Sequence, residues 1–193
     1  MEVLPNTYRA DKKYTVLSLD GGGVRGLMTT EILAKLEEEL SHGDPDFKIT
    51  SVVDLVIGTS AGGLIASALA CGFSARELKR KMKTIIQATF SEAVKREDNI
   101  NFAKYDAKGL EEAIKSDAGL GEDIPATKLC NIKKLPTNKH NPHIRLITTT
   151  MHYDNVTRSF CPLLIDSEGD LASEYTVLDA MRATSAAPTY FEG

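Results

Sequence analysis

Short apolar runs alternate with helical spacings along most of the chain. Tyr14 to Leu19 (YTVLSL) is β-branched and aliphatic and stops at Asp20 and three glycines, the pattern of a strand meeting a tight loop. Leu33, Leu36 and Leu40 then recur at helical intervals, which predicts a helix with Glu37, Glu38 and Glu39 largely toward water, closed by Gly43 and Pro45. Val52 to Ile57 (VVDLVI) reads as a second strand, followed by a sharp turn at Gly58 and a helix of small residues from Ala61 to Ala70. Both are apolar enough to be covered on all sides. Ser74-Ala75-Arg76-Glu77 fits a capping box and starts a helix running towards Phe90.

The stretch from Ser91 to Tyr105 is polar and mixed and reads as a surface excursion. Asp106 is placed to cap a helix through Ile114. Ile144 to Thr150 (IRLITTT) is a third strand, and Arg158 to Cys161 a strand after a turn. Thr176-Val177-Leu178-Asp179 fits a second capping box, with its helix running through Met181 into Ala187 until Pro188 stops it. Strands alternating with helices predict an α/β fold, three-layer α/β/α with a mainly parallel central sheet. Residues 14–193 form one domain in this reading, and residues 1–13 an N-terminal extension.

Composition narrows the function classes. The chain has 193 residues, 42% apolar and 26% charged, an ordinary globular balance. Its net charge of −4 argues against nucleic acid as a default partner, since phosphate binding wants a basic excess. Cys71, Cys130 and Cys161 are odd in number and far apart, fitting reduced thiols better than a disulfide framework or a metal cluster. The N-terminus, MEVLPNTYRADKKY, carries no apolar signal region, so a cytoplasmic protein is expected. Leu55 to Ala75 lacks charge and is long enough to cross a bilayer, but GTSAGG interrupts it, and a strand, a turn and a buried helix explain it better.

Two glycine-rich turns carry the chemistry. Gly58-Thr59-Ser60-Ala61-Gly62 matches G-x-S-x-G between a strand and a helix, a geometry that lifts a serine hydroxyl clear of the sheet. The helix that follows directs its amides and positive dipole end at that serine. The second turn is Asp20-Gly21-Gly22-Gly23-Val24-Arg25-Gly26. Its glycine amides, free of Cβ atoms, suit an oxyanion hole for an ester carbonyl. Gly21, Gly23 and Gly26 also satisfy the G-x-G-x-x-G of dinucleotide sites. Asp20 beside the loop counts against that use, as do Asp44 and Asp46, which flank Pro45 instead of ending a second strand. Acyl-ester hydrolysis is the leading expectation, with a dinucleotide-binding domain as an alternative.

DGGGVRG at Asp20 to Gly26, GTSAGG around Ser60 and RATSAAPTYF from Arg182 to Phe191 together resemble the patatin-like phospholipase family, in that family's order. The resemblance implies Ser60 as the acyl-accepting nucleophile. It also implies an oxyanion hole from the amides of Gly21, Gly22 and Gly23, with Arg25 supporting their loop and Gly26, Gly58 and Gly62 completing the motifs. The Ser185-Ala186-Ala187-Pro188 segment is expected to pack beside the site. The implied substrate is a glycerolipid or phospholipid, met through peripheral membrane contact, with no cofactor or metal required.

The family pairs its serine with an aspartate from an Asp-Gly-Gly or Asp-Gly-Ala motif, due downstream of Phe191. Asp20 is the one aspartate of this sequence followed by glycine, and it belongs to the oxyanion loop. The chain therefore reads as truncated before its base, with its last strand or strands missing, and efficient hydrolysis is not expected of it. A triad reading keeps the reaction and recruits His140, His143 or His152 with Asp106 or Asp117. A further reading is a non-catalytic fragment of the same fold that binds lipid or a partner chain. The basic run Arg76 to Lys83 (RELKRKMK) is the solvated face of a helix or an attraction to anionic lipid.

Overall fold

The computed structural model describes residues 13–90, 104–188, 190 and 191. Four strands, β1 (Val16–Leu19), β2 (Leu55–Gly58), β3 (Arg145–Asp154) and β4 (Ser159–Asp166), lie in the order β1-β2-β3-β4. The first two pairings are parallel and the last is antiparallel, so the sheet is mainly parallel and the fold is α/β, as expected. Helices α1 (Gly26–Ser41), α2 (Ala61–Ala70), α3 (Ala75–Thr89), α4 (Ala107–Lys115), the short α5 (Asp123–Ala126) and α6 (Val177–Ser185) complete the described elements.

Local chemistry accounts for most of these boundaries. Both expected capping boxes form. The Ser74 side chain accepts from Glu77 N–H while Glu77 accepts from Ser74 N–H, and Thr176 and Asp179 reciprocate in the same way. Asp106 caps α4 by accepting from Lys108 N–H. The second strand is shorter than expected, because Ile49–Val52 forms a 3₁₀ turn before it. The fourth is longer and starts at Ser159, after a turn in which Asp154 accepts from the Val156 N–H and Arg158 takes a positive φ of 52°. The α6 helix ends at Ser185 rather than running into Ala187.

Alternate residues of the strands separate the two faces of the sheet. Leu19, Val56 and Leu146 are buried on the face that α2 and α6 cover, and Ile165, opposite Thr148, is buried on the same face. Every residue of α2 is buried, because α6 lies beside it and α1 and α3 lean on it from outside. Its small side chains allow that close approach: a β-carbon on Gly63 would fall 2.5 Å from the Thr184 methyl. On the opposite face Val16, Met151, Phe160 and Leu164 are exposed. The expected third layer is therefore not built by the described residues. Strands added one after another in a single direction by right-handed crossovers receive their helices on one face.

The helix α1 corrects a second expectation. Its buried stripe is Thr30, Leu33, Ala34, Glu37 and Ser41, while Leu36 and Leu40 are exposed. Glu37 is fully buried. It pairs with Arg76 and accepts from the backbone N–H groups of Ile49, Ala75 and Arg76, which would otherwise lack partners. The charge-free window from Leu55 to Ala75 is divided between β2 and α2. Among the described residues no helix is long and apolar enough to cross a membrane. The surface excursion lies outside the described residues except for Lys104 and Tyr105, and the N-terminal extension does so except for Lys13.

Candidate active site

Ser60 sits between the C-terminal end of β2 and the first turn of α2 with φ 54° and ψ −125°, outside the conformations an L-residue ordinarily adopts. The turn is held by close approaches that only glycine permits. A β-carbon on Gly62 would fall 2.1 Å from the Leu19 carbonyl oxygen, and one on Gly58 would fall 2.3 Å from that of Gly62. The Ser60 N–H donates to the Thr184 hydroxyl at 2.9 Å. The Ser60 side chain does not cap the helix, so its hydroxyl is left for other work.

The triple-glycine loop lies directly against this serine. A β-carbon on Gly21 would come within 3.0 Å of Ser60 Cβ, and one on Gly26 within 3.0 Å of Ala61 Cβ, so the N-terminal ends of α1 and α2 meet at one place. Gly22 has φ 157° and Gly23 φ 55°; the latter is in the left-handed region that glycine reaches without penalty. The Arg25 side chain folds back over Gly22, its Nε 3.4 Å from where a Gly22 β-carbon would be, and Arg25 N–H donates to the Gly22 carbonyl. Two helix N-termini and a loop with little steric cover thus meet beside Ser60.

A cavity of about 500 Å³ opens beside Ser60, walled by Gly22, Gly23, Leu64, Ile85, Ile86 and Leu110. Phe90, Tyr105, Tyr190 and Phe191 form an aromatic cluster at its other side, with Phe90 edge-on to Tyr105 at 5.1 Å between ring centroids. Lys104 lies at this wall, its Nζ 5.4 Å from the Tyr105 ring centre and 5.9 Å from that of Tyr190. The lining is mostly apolar and suits a hydrocarbon chain better than a polar ligand.

Ser60, Gly21, Gly22, Gly23, Arg25, Gly26, Gly58 and Gly62 are therefore brought together. The three candidate histidines are not: His140, His143 and His152 are exposed, and none lines the cavity. Asp106 is committed to capping α4, and Asp117 is exposed away from the cavity. Ser185 and Ala187 line the cavity, and Ser185 donates its hydroxyl to the Met181 and Arg182 carbonyls, a packing arrangement. Thr184 was not singled out by the sequence reading, although it lies within the quoted RATSAAP segment; its link to Ser60 spans 124 positions and has no local signature. Among the described residues no cluster of side chains has the make-up of a metal site.

The family model for patatin-like phospholipases matches residues 17–193, nearly the whole chain. This chain belongs to the patatin-like phospholipase family. A cGAMP-activated phospholipase from Escherichia coli is 35% identical over 188 residues, covering 91% of this chain and 47% of that protein. Patatin-like protein 2 of Arabidopsis thaliana is 31% identical over 191 residues, covering 91% of this chain and 43% of that protein. The crystal structure of VipD from Legionella pneumophila aligns with a TM-score of 0.52 at 14% identity, covering 94% of this chain and 44% of that one, a likeness of fold. The chain spans about half the length of the curated relatives it matches.

Proposed function

We propose that this patatin-like chain carries the nucleophile and the oxyanion hole of a serine lipid acyl hydrolase acting on glycerolipids or phospholipids. The observation that carries the reading is Ser60, held at positive φ with an uncapped hydroxyl at the mouth of an apolar cavity and against the Gly21-Gly22-Gly23 loop.

In this reading the acyl chain lies along Leu64, Ile85, Ile86 and Leu110 and presents its ester carbonyl to Ser60. The Ser60 oxygen bonds to the carbonyl carbon as the hydroxyl proton leaves to a base, and the glycine amides hold the negative oxygen that forms. The tetrahedral intermediate collapses by breaking the bond to the alcohol, which takes up a proton. A water molecule then cleaves the acyl-serine and releases the fatty acid.

The family resemblance assigns the base to an Asp-Gly motif, and within this sequence that pairing occurs only at Asp20, in the oxyanion loop. With the oxyanion hole and binding cavity alone, a residual acceleration of about 10³–10⁴ over water is expected, by analogy with triad deletions.

The test is labelling by a long-chain fluorophosphonate with mass-spectrometric mapping, beside hydrolysis of a phospholipid and a short-chain ester. Covalent mass on Ser60, lost in Ser60→Ala, supports the reading. Labelling elsewhere, or none in a chain extended to include an Asp-Gly motif, overturns it. Several matched relatives are named for activation by cGAMP, so the assay is run with and without that nucleotide.

A further inference from the structure

A stripe of exposed apolar side chains runs from the 3₁₀ turn Gly23–Arg25, beside the cavity, along α1. Val24, Met28 and Ile32 are 56%, 67% and 65% exposed, and Leu36 and Leu40 continue the same four-residue spacing. Val24 is at once the first residue of this stripe and part of the cavity wall beside Ser60. A helix face that is apolar where water should be, and continuous with an apolar cavity, is a path along which hydrocarbon can pass without crossing water.

Charge lies along one flank. Glu31 pairs with Lys79 and Glu37 with Arg76, so α1 and α3 run antiparallel and the C-terminal half of α3 lies beside the N-terminal half of α1. Lys83, one turn beyond Lys79 on that flank, is exposed, as is Arg80, and neither has an ion pair among the described residues. Lys104 is exposed at the cavity wall. Between Gly26 and Leu33 the one acid of α1 is Glu31, already neutralised by Lys79; Glu38 and Glu39 are in its C-terminal half and share Lys35.

We propose that Val24, in the turn before α1, together with Met28 and Ile32 in the N-terminal half of α1, flanked by Arg80, Lys83 and Lys104, is the surface by which this domain seats on an anionic lipid bilayer. This rests on the lipid-hydrolase reading above and names the face that meets the substrate phase. The other large apolar surface, the open sheet face with Phe160 and Leu164, lies on the side away from α2 and the cavity and offers no such path. Seating inserts the apolar stripe among the acyl chains, leaves the lysines and Arg80 at the headgroups, and aims the cavity mouth at the bilayer.

The chain contains no tryptophan, so a single introduced one is a clean reporter. Ile32→Trp and, separately, Phe160→Trp are mixed with vesicles of equal parts phosphatidylcholine and phosphatidylglycerol carrying brominated acyl chains. Quenching of the Ile32→Trp signal with the Phe160→Trp signal unchanged is the expected result. Met28→Trp, on the same stripe, should repeat it. Reversing Arg80 and Lys83 to Glu should weaken vesicle binding by roughly tenfold or more. Quenching at Phe160→Trp but not Ile32→Trp overturns the proposal, as does quenching at neither. A concentration-dependent shift of the Ile32→Trp signal without lipid, accompanied by dimerisation, overturns it in favour of a second copy. Fluorophosphonate labelling of Ser60 in lipid-free solution is read in parallel, so that failure of the docking face and failure of the hydrolase reading give different results.

Discussion

The backbone N–H of Ser60 donates to the hydroxyl of Thr184 across 2.9 Å, joining the turn after β2 to the last helix of the described chain. The contact fixes the peptide plane that enters the strained turn, and Thr184 is held in its own place by the missing side chain of Gly63. Thr184→Val keeps the shape but removes the acceptor, leaving a partly buried donor unpaired at a cost of about 1–2 kcal/mol. We expect the rate of Ser60 labelling by a fluorophosphonate to fall by on the order of tenfold, the equivalent of 1.4 kcal/mol. Thr184→Ser retains the acceptor and should label at close to the parent rate. Equal rates in all three proteins would show that the contact does not position the serine.

The φ of 54° at Ser60 stores energy that the fold supplies from elsewhere. Ser60→Gly occupies the same backbone conformation without the Cβ clash. Relief of roughly 1–3 kcal/mol of strain outweighs the entropy of the added glycine, so the variant should melt at a higher temperature than the parent while losing all labelling. Ser60→Ala retains the strain and separates the two effects: it should lose labelling without that gain. A Ser60→Gly protein that melts lower than Ser60→Ala would contradict the strain.

Glu37 is a charged residue that the fold buries completely. Its carboxylate serves three backbone donors and Arg76, and its side chain has no exposed area. Glu37→Ala leaves those donors buried without partners and should destabilise the domain by about 3 kcal/mol, read from the urea midpoint at an unchanged slope. Glu38→Gln, one residue on and fully exposed, should leave the midpoint where it was.

These contrasts show what the sequence made legible. Both capping boxes, the Gly58 turn and the small-residue helix are written in adjacent residues, and each formed as expected. The wall of the cavity is not, because Phe90, Tyr105, Tyr190 and Phe191 come from distant parts of the chain and meet only when α3 and α6 are both packed on α2 and α4. Glu37 was misread for a related reason. Spacing alone places Leu33, Leu36 and Leu40 on one stripe, yet the face that α1 buries is chosen by the backbone donors at Ile49 and Ala75, which helical periodicity does not record. The Ser60 turn and the glycine loop were legible in the sequence because each is a local device whose residue types are dictated by backbone geometry.

Burial separates the three thiols. Cys71 is fully buried, which pushes its pKa up to about 12, whereas Cys130 and Cys161 are exposed. A thiol held protonated and out of reach does not attack a disulfide reagent. Titration of the native protein with Ellman's reagent at mildly alkaline pH should count the two exposed cysteines promptly and the third only after denaturant is added. Three prompt equivalents would show that the end of α2 opens readily.

Asp166 sets an acid limit on the sheet edge. Burial raises its carboxyl pKa, but hydrogen bonds from Arg145 and the Glu168 N–H, with the charges of Arg145 and Lys133, outweigh this and hold it below the usual value. Its folded-state pKa is thus lower than that in the unfolded chain, and in that interval the unfolded chain binds more protons. The contribution to stability is complete above the unfolded value of about 3.9 and is lost as pH falls through the folded one. Asp154, held low chiefly by hydrogen bonds from the Val156 and Thr157 backbones and the Thr157 hydroxyl, acts in the same direction. Urea midpoints should be level near neutrality and drop as pH passes below about 4. Asp166→Asn should start lower and lose less over the same range, the remaining slope belonging to Asp154 and other carboxylates. An unchanged slope in Asp166→Asn would mean that Arg145 does not discriminate between the two protonation states of its partner.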